Sequence, residues 1–331
     1  MSIAITNIRE ASSDEWDTIW RACEYATYFH SREWAEIWNV YSDRKIQPHP
    51  LLITFSDSKS ALLPLTKQNR LKGLISVYLS SSAGTFGGWI SQDRIGLSHA
   101  ELLGDYLTGK LGNLIWRINP YDKSATCLLK KGLKIDCFDE TQMLFLNKGF
   151  EETCKQWTKE QTSLIRAVRK AQKEGVTVKL ADTRSDWQTY YRIYEDSLRR
   201  WGKRLDEGYD LRLFETLFTR RSPYIKLWLA MNNGVTLAGA LCFYANRHAV
   251  YWHGAALEKY LNLRPVNLLM FEIIKDACDN RYSWFDFNPS GGYKGVVAFK
   301  NSFGPALLPC PVIERSTALY KIVKMAGRLF K

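Results

Sequence analysis

Apolar positions along the chain follow two periods, and their order repeats. In SSDEWDTIWRACEYA, Trp16, Ile19, Trp20 and Cys23 fall on one face of a helix, with Ser12 or Ser13 placed as its cap. TRSDWQTYYRIYEDSLRRW has the same design, with Trp187, Tyr190, Tyr191 and Tyr194 on one face behind Ser185. A second helix follows each, EWAEIWNVY around 33–41 and LRLFETLFTRR around 211–221. Next come paired apolar runs joined by a polar turn: LLITF, SDSK and SALLPL at 51–65, then IKLWLAM, NNG and VTLAGALCFY at 225–244. Each pair predicts an antiparallel hairpin. Helix, helix, strand, turn, strand therefore occurs twice, an architectural repeat.

Between the copies, the spacing predicts one helix over about 150–174, stopped at Gly175 before the strand VTVKL. Arg166, Arg169, Lys170 and Lys173 sit at i, i+3, i+4 and i+7 on it and form one basic stripe, either a solvated face or a ridge that contacts phosphate. After the second hairpin come the strand HAVYWHGAAL, the loop EKYLNLRP, the helix VNLLMFEIIKDACDN and the strand YSWFDFN. The Gly-rich turn PSGGYKG, the segment VVAFKNSFG and a closing strand-like LLPCPVIE complete the order. Strand, helix and returning strand predict a parallel crossover, so the sheet is mixed and the fold class is α/β.

A length of 331 residues with 46% hydrophobic positions suits about two globular domains. No apolar run reaches membrane-spanning length and the N-terminus lacks a signal-peptide pattern, so a cytoplasmic location is expected. Seven scattered cysteines without a CxxC are expected to be reduced and mostly buried. The net charge of +12 is unevenly divided: residues 1–150 carry 17 basic and 16 acidic side chains, residues 151–331 carry 29 and 18. That excess favours an anionic partner such as nucleic acid, a phosphorylated cofactor, phospholipid or nucleotide sugar.

Several chemistries lack their parts. There is no G-x-S-x-G elbow, Walker A sequence or strand-linked G-x-G-x-x-G. His248 and His253, the only close histidine pair, are five apart on one strand, which puts them on opposite faces and predicts no metal site.

The basic helix SLIRAVRKAQKEGVTV, the downstream FDFNPSGGYKGVVAFKNSFGP, and the upstream FHSREWAEIW, ALLPL and SSSAGTFGG together resemble the FemAB-like branch of the GNAT acyltransferase superfamily. The resemblance covers nearly the whole chain. It implies two tandem GNAT-like domains with the acyl-CoA N-acyltransferase fold, drawn here as 1–148 (acceptor side) and 149–331 (donor side, with the basic linker helix 150–174). It also implies transfer of an acyl or aminoacyl group to an amine on a cell-envelope, peptidoglycan or polysaccharide precursor. The donor co-substrate is acyl-CoA or aminoacyl-tRNA, with no permanently bound cofactor. The long helical arm of some tRNA-using members is absent, and the stretch Tyr260–Asn267 has no glycine where CoA enzymes carry a Gly-rich pyrophosphate loop.

On this frame His253, ending its strand where GNAT sheets diverge, is the first choice for general base, since an ordinary imidazole titrates near neutrality. Asp286 shares one face of YSWFDFN with Trp284 and Asn288, and either orients a base or braces the following turn. Lys300 matches the family's FK lysine and can neutralise a phosphate or oxyanion. Arg264 and Asn267, at the start of the crossover helix, are donor-binding candidates, with Tyr293 and Lys294 weaker ones. Ser82, Gly84, Gly87 and Gly88 form a small-residue loop that can approach an acceptor, flanked by Trp34 and Trp89. No cysteine sits in a nucleophile arrangement, so direct transfer is expected. The tail over 316–331 alternates basic and apolar residues, a pattern suited to an anionic membrane face and equally to packing on the domain. Two other readings stand beside transfer: a non-catalytic tRNA- or RNA-binding module, and a degenerate scaffold that binds envelope precursors.

Overall fold

Each predicted hairpin becomes part of a mixed sheet. A computed structural model describes residues 2–202 and 208–329. The chain divides into two compact units, one made of residues up to Glu140 together with those from Pro309 onward, the other Thr141–Leu308.

The first unit runs β1 (Ile5–Glu10), α1 (Ser13–Ala22), α2 (Arg32–Tyr41), β2 (Ile46–Phe55), β3 (Ser60–Arg70), β4 (Ile75–Leu79), α3 (Leu97–Lys110), β5 (Leu114–Arg117) and α4 (Lys123–Lys130). The second runs β6 (Glu140–Phe145), α5 (Gly149–Glu160), α6 (Thr162–Lys173), β7 (Thr177–Leu180), α7 (Arg184–Arg200), α8 (Leu211–Thr219), β8 (Ile225–Asn232), β9 (Val235–Ala245), β10 (His248–Ala256), α9 (Pro265–Asp279), β11 (Trp284–Asp286), α10 (Lys294–Asn301) and β12 (Ala306–Pro309). The chain then returns to the first unit with β13 (Val312–Arg315) and α11 (Ala318–Leu329).

Strand orders are β1-β2-β3-β4-β5-β13 and β12-β6-β11-β10-β9-β8-β7. The repeat therefore goes further than the sequence pattern: strand, two helices, three antiparallel strands, a helix and a parallel strand occur in both units.

Local chemistry explains the element ends. Ser12 caps α1, bonding to Glu15 N while Glu15 reaches back to Ser12 N. The cap of α7 is Thr183, paired with Asp186, where Ser185 was expected. Asn233 and Gly234, both with positive φ, make the tight β8–β9 turn, the geometry that matches strand twist. The single helix expected over 150–174 is two, because Gln161 leaves helical dihedrals. Its N–H still closes α5 on Trp157 O, and its carbonyl opens α6 by accepting from Leu164 N and Ile165 N.

The closing segment LLPCPVIE is also two strands, one in each unit. This moves the expected boundary from 148/149 to 140/141 and returns the C-terminus to the first unit, in place of a second domain running to 331. Pairing supplies the reason: β13 covers the edge of the four-residue β5, Val312 to Arg315 opposite Arg117 to Leu114, and Ile313 is fully buried in that unit's core beside Trp89, Leu103 and Trp116. In α11, Tyr320 packs on Ile75 and Val77, while Leu319 and Ile322 are exposed. Phe330 and Lys331 lie outside the described residues.

Ile313→Ala should cost about 2–5 kcal/mol, the usual range for emptying a packed aliphatic site. Urea denaturation reads the loss, and hydrogen exchange should accelerate around β5. Acceleration confined to Thr141–Leu308 would refute the assignment of β13 to the first unit.

Candidate active site

In the second unit β10 and β11 pair over three residues only, His248 to Val250 beside Trp284 to Asp286. β11 then stops while β10 continues to Ala256, so His253 lies inside its strand and not at its end. Beyond Val250 the β10 edge has no β11 partner, which opens the sheet at this point.

A β-bulge falls here as well. Tyr251 pairs with Cys242 and His253 with Leu241, leaving Trp252 as the extra residue. The inserted residue flips the alternation, so His248 and His253 share the face of Ala245, Phe243 and Leu241, where strict alternation would oppose them. They remain apart: His248 is buried and stacked on Trp284 at 4.7 Å. Among the described residues no group of three His, Cys, Asp or Glu is close enough to hold a metal.

His253 is partly exposed, yet it is ringed by Tyr190, Tyr194, Tyr209, Phe214 and Trp252. Its Nδ1 is 2.5 Å from the Tyr190 hydroxyl. Gly239 makes that contact possible, since a Cβ there would stand 2.4 Å from Tyr190 Cδ2. Burial pushes His253 down to about 3 and raises the Tyr190 phenol well above its ordinary value. The neutral-range titration expected of a base is therefore not available to this imidazole. Tyr190 was read from sequence only as part of an apolar helix face.

Asp286 and Lys300 meet through Asn288, which the sequence placed only on the same strand face as Asp286. Asp286 is fully buried, and its Oδ1 accepts from Thr141 Oγ1 and from Asn288 N, both at 2.6 Å. Lys300, on α10, is also buried and donates from Nζ to the Asn288 carbonyl at 2.7 Å. Asn288 has φ 62 and is held from both sides, and its Oδ1 is buried with no hydrogen-bond partner among the described residues. Asp286 thus bonds the turn that follows it, and Lys300 is buried rather than on the surface. Gln142 ties the same turn to α10, accepting from Ser290 Oγ and donating to Asn301 Oδ1.

The donor-binding candidates come together elsewhere in this unit. A cleft of about 380 Å³ is lined by Ser163, Arg166 and Lys170 of α6, by Arg264 and Asn267 at the start of α9, and by Ser302. Pro265 occupies the first helical position, and Arg264, in left-handed conformation, precedes it at the N-cap position with no side-chain capping bond. Arg169 and Lys173 are exposed on the same helix but do not line the cleft. Tyr293 and Lys294 are exposed at the start of α10, also outside it.

The acceptor candidates in the first unit differ from the flexible loop expected. Trp34 and Trp89 are buried, with their indole N–H groups bound to Ser81 Oγ and Ser124 Oγ. Ser81 Oγ also meets Thr85 Oγ1 at 2.7 Å. Ser82, Gly87 and Gly88 are buried too, leaving Gly84 exposed with Ala83. Gly87 passes so close to Ser80 that a Cβ would lie 2.2 Å from its carbonyl oxygen. The segment replaces β4 after Leu79: Gly87 bridges to Ile118 in parallel and Ile90 to Leu62 antiparallel.

The seven cysteines form no disulfide; Cys23, Cys242 and Cys310 are buried, whereas Cys127 and Cys137 are exposed, so burial is less general than expected. Burial raises the Cys23 thiol to about 11, far from a nucleophile's range.

Comparison with known proteins places this geometry. Residues 158–300 match the family described as an acetyltransferase (GNAT) domain. That match falls within the second unit, which over this stretch is similar to a GNAT domain. The whole chain takes the FemAB-like double-GNAT fold: FemX superposes with a TM-score of 0.72 over 96% of this chain and 100% of that one, at 15% identity. L-PGS from Bacillus licheniformis gives 0.54 over 83% and 86% at 14%, and a conserved protein of unknown function from Bacteroides thetaiotaomicron gives 0.57 over 95% and 100% at 11%. No curated protein matches the chain.

The site carries a pH signature. Burial lowers His253 to about 3 and His30 to about 4, whereas both reach about 6.5 on unfolding. Below pH about 6.5 the unfolded chain binds protons that the folded chain refuses, so stability falls as pH drops towards 4. Melting temperature against pH should show this fall, and His253→Gln should flatten it. An unchanged slope in that variant contradicts the burial argument.

Proposed function

We propose that the protein transfers an acyl or aminoacyl group from an activated donor, acyl-CoA or aminoacyl-tRNA, to an amine of a cell-envelope, peptidoglycan or polysaccharide precursor. The observation that carries this reading is the α6–α9 cleft. It gathers Arg166, Lys170 and Arg264, three cations from two elements about a hundred residues apart in the chain, beside the amino end of a fifteen-residue helix. Helix dipole and guanidinium groups together suit a phosphate-bearing donor end. The absence of glycine at Tyr260–Asn267 shifts that work from backbone N–H groups to side chains.

The β10–β11 opening then receives the reactive carbonyl, and the amine attacks it directly. Asp286 and Lys300 hold the Asn288 turn at the end of β11, which keeps the opening's floor in place. Tyr293, Lys294, Arg169 and Lys173 remain outer donor contacts. The acceptor side is assigned to the first unit, at the exposed Ala83–Gly84 tip.

Binding of acetyl-CoA by calorimetry, and of aminoacyl-tRNA by gel shift, tests the donor. Arg166→Ala with Lys170→Ala and Arg264→Ala should weaken whichever donor binds by about tenfold or more and reduce the salt slope, as lost phosphate contacts do. Arg169→Ala should have the smaller effect. Equal effects of the two sets, or no binding of either donor, overturn the reading.

A peripheral membrane contact through the tail belongs to the same proposal, since lipid-linked acceptors lie at that surface. Among the described residues no helix is long and apolar enough to cross a membrane, whereas Leu319 and Ile322 stand exposed beside Lys321. Leu319→Ser with Ile322→Ser should reduce co-flotation with phosphatidylglycerol vesicles. Unchanged flotation of the variant, or none by the wild type, removes the tail from the proposal.

A further inference from the structure

We propose that His253 serves the transfer as a neutral hydrogen-bond donor to the developing oxyanion, with Nε2–H turned to the β10–β11 opening and its tautomer set by Tyr190 as a positioning residue. The proposal rests on the acyl-transfer reading and replaces proton abstraction by a different role at the same strand.

The tautomer follows from the phenol. Tyr190 is fully buried, wedged against Gly239 and Phe214. Its O–H proton needs an acceptor, and among the described residues the one within hydrogen-bond distance is His253 Nδ1, at 2.5 Å. Were Nδ1 to carry the ring proton, that hydroxyl would accept it and leave its own proton buried among hydrocarbon, a costly arrangement. Tyr190 therefore donates to Nδ1, and the single proton of the neutral ring resides on Nε2.

Three features place the ring. The bulge at Trp252 turns His253 onto the α7–α8 face. Gly239 lets the Tyr190 ring lie against the sheet below it. His253 follows by three residues the last β10–β11 pair, Val250 with Asp286. His253 is partly exposed, and among the described residues Nε2 has no hydrogen-bond partner and is not among the atoms cut off from solvent. The groups around it are the phenols of Tyr190, Tyr194 and Tyr209 with Phe214 and Trp252, and no charged group among the described residues offsets the desolvation that disfavours the imidazolium.

In the reaction, the amine nitrogen forms a bond to the carbonyl carbon while the π pair moves to oxygen. His253 Nε2–H bonds to that oxygen and keeps its proton. Return of the pair re-forms the carbonyl and breaks the C–S bond of a thioester donor or the C–O bond of an ester donor. The proton shed by the attacking amine leaves on water or on the departing thiolate or alkoxide.

Nitrogen NMR of the full chain labelled at histidine, without donor, reads the tautomer directly, with His253→Gln identifying the resonances. His253 should show a protonated Nε2 and a bare Nδ1 from pH about 8 to about 5. Tyr190→Phe, which keeps the ring packing, should admit the Nδ1–H form. An Nδ1–H wild type, a titration midpoint near the ordinary value of about 6.5, or an unchanged tautomer in Tyr190→Phe overturns the proposal. With a donor that binds, His253→Leu should lower kcat about 10²–10³-fold at unchanged donor KM, and His253→Gln, which keeps an N–H, should recover part of it. Equal losses in the two variants overturn the donor role. Failure of the cleft variants to affect donor binding leaves the donor-free spectrum as it is, so a wrong donor assignment and a wrong tautomer show separately.

Discussion

The second unit depends on where one parallel strand pair ends. Three residues of β11 lie along β10, and past Val250 and Asp286 the sheet has no further rung between them. An unpaired strand edge inside a sheet is costly unless other groups answer it. The chain answers on the β11 side with a turn pinned by buried Asp286 and Lys300 through the two backbone groups of Asn288. On the β10 side a bulge swings His253 against an aromatic wall. The opening is thus framed by two fixed rims, one polar and one aromatic.

Much of this fold is legible in the sequence because local signals agree with it. The Ser12–Glu15 capping box, the Asn233–Gly234 turn, the Gly175 stop and both hairpins come from residues within a few positions of each other. The i, i+4 placement of Arg166 and Lys170 on one face was visible for the same reason. What was not visible involves distant partners. Nothing near Trp252 marks a bulge; Leu241 and Cys242 on the neighbouring strand define it. The return of β13 depends on the unpaired edge of β5, nearly two hundred residues earlier. Arg264 reaches the basic stripe only because α9 packs beside α6.

Burial also reversed the sense of several candidates. Trp34, Ser82 and Gly87 look like an exposed recognition loop, because small residues and a tryptophan occur at both binding surfaces and tight cores. Here the indole N–H finds Ser81, and the glycine is needed for close backbone approach. Lys300 reads as amphipathic and surface-bound until its helix is seen to turn it inward onto a carbonyl.

The duplicated sheets differ at their parallel strand pairs. In the first unit β4 also pairs in parallel with β5, over Tyr78 and Leu79 only, and the same gap should follow. It is filled by the chain itself. Residues 80–90 carry the ladder onward, Ser80 N to Ile115 O, Gly87 N to Arg117 O, and Ile90 exchanging bonds with Leu62. The second unit leaves that space open and sets its neutral imidazole beside it, and the GNAT family match falls within that unit, at 158–300. One copy of the fold thus keeps its strand pair open, while the other has filled the same place beside a closed core around Trp89 and Trp116.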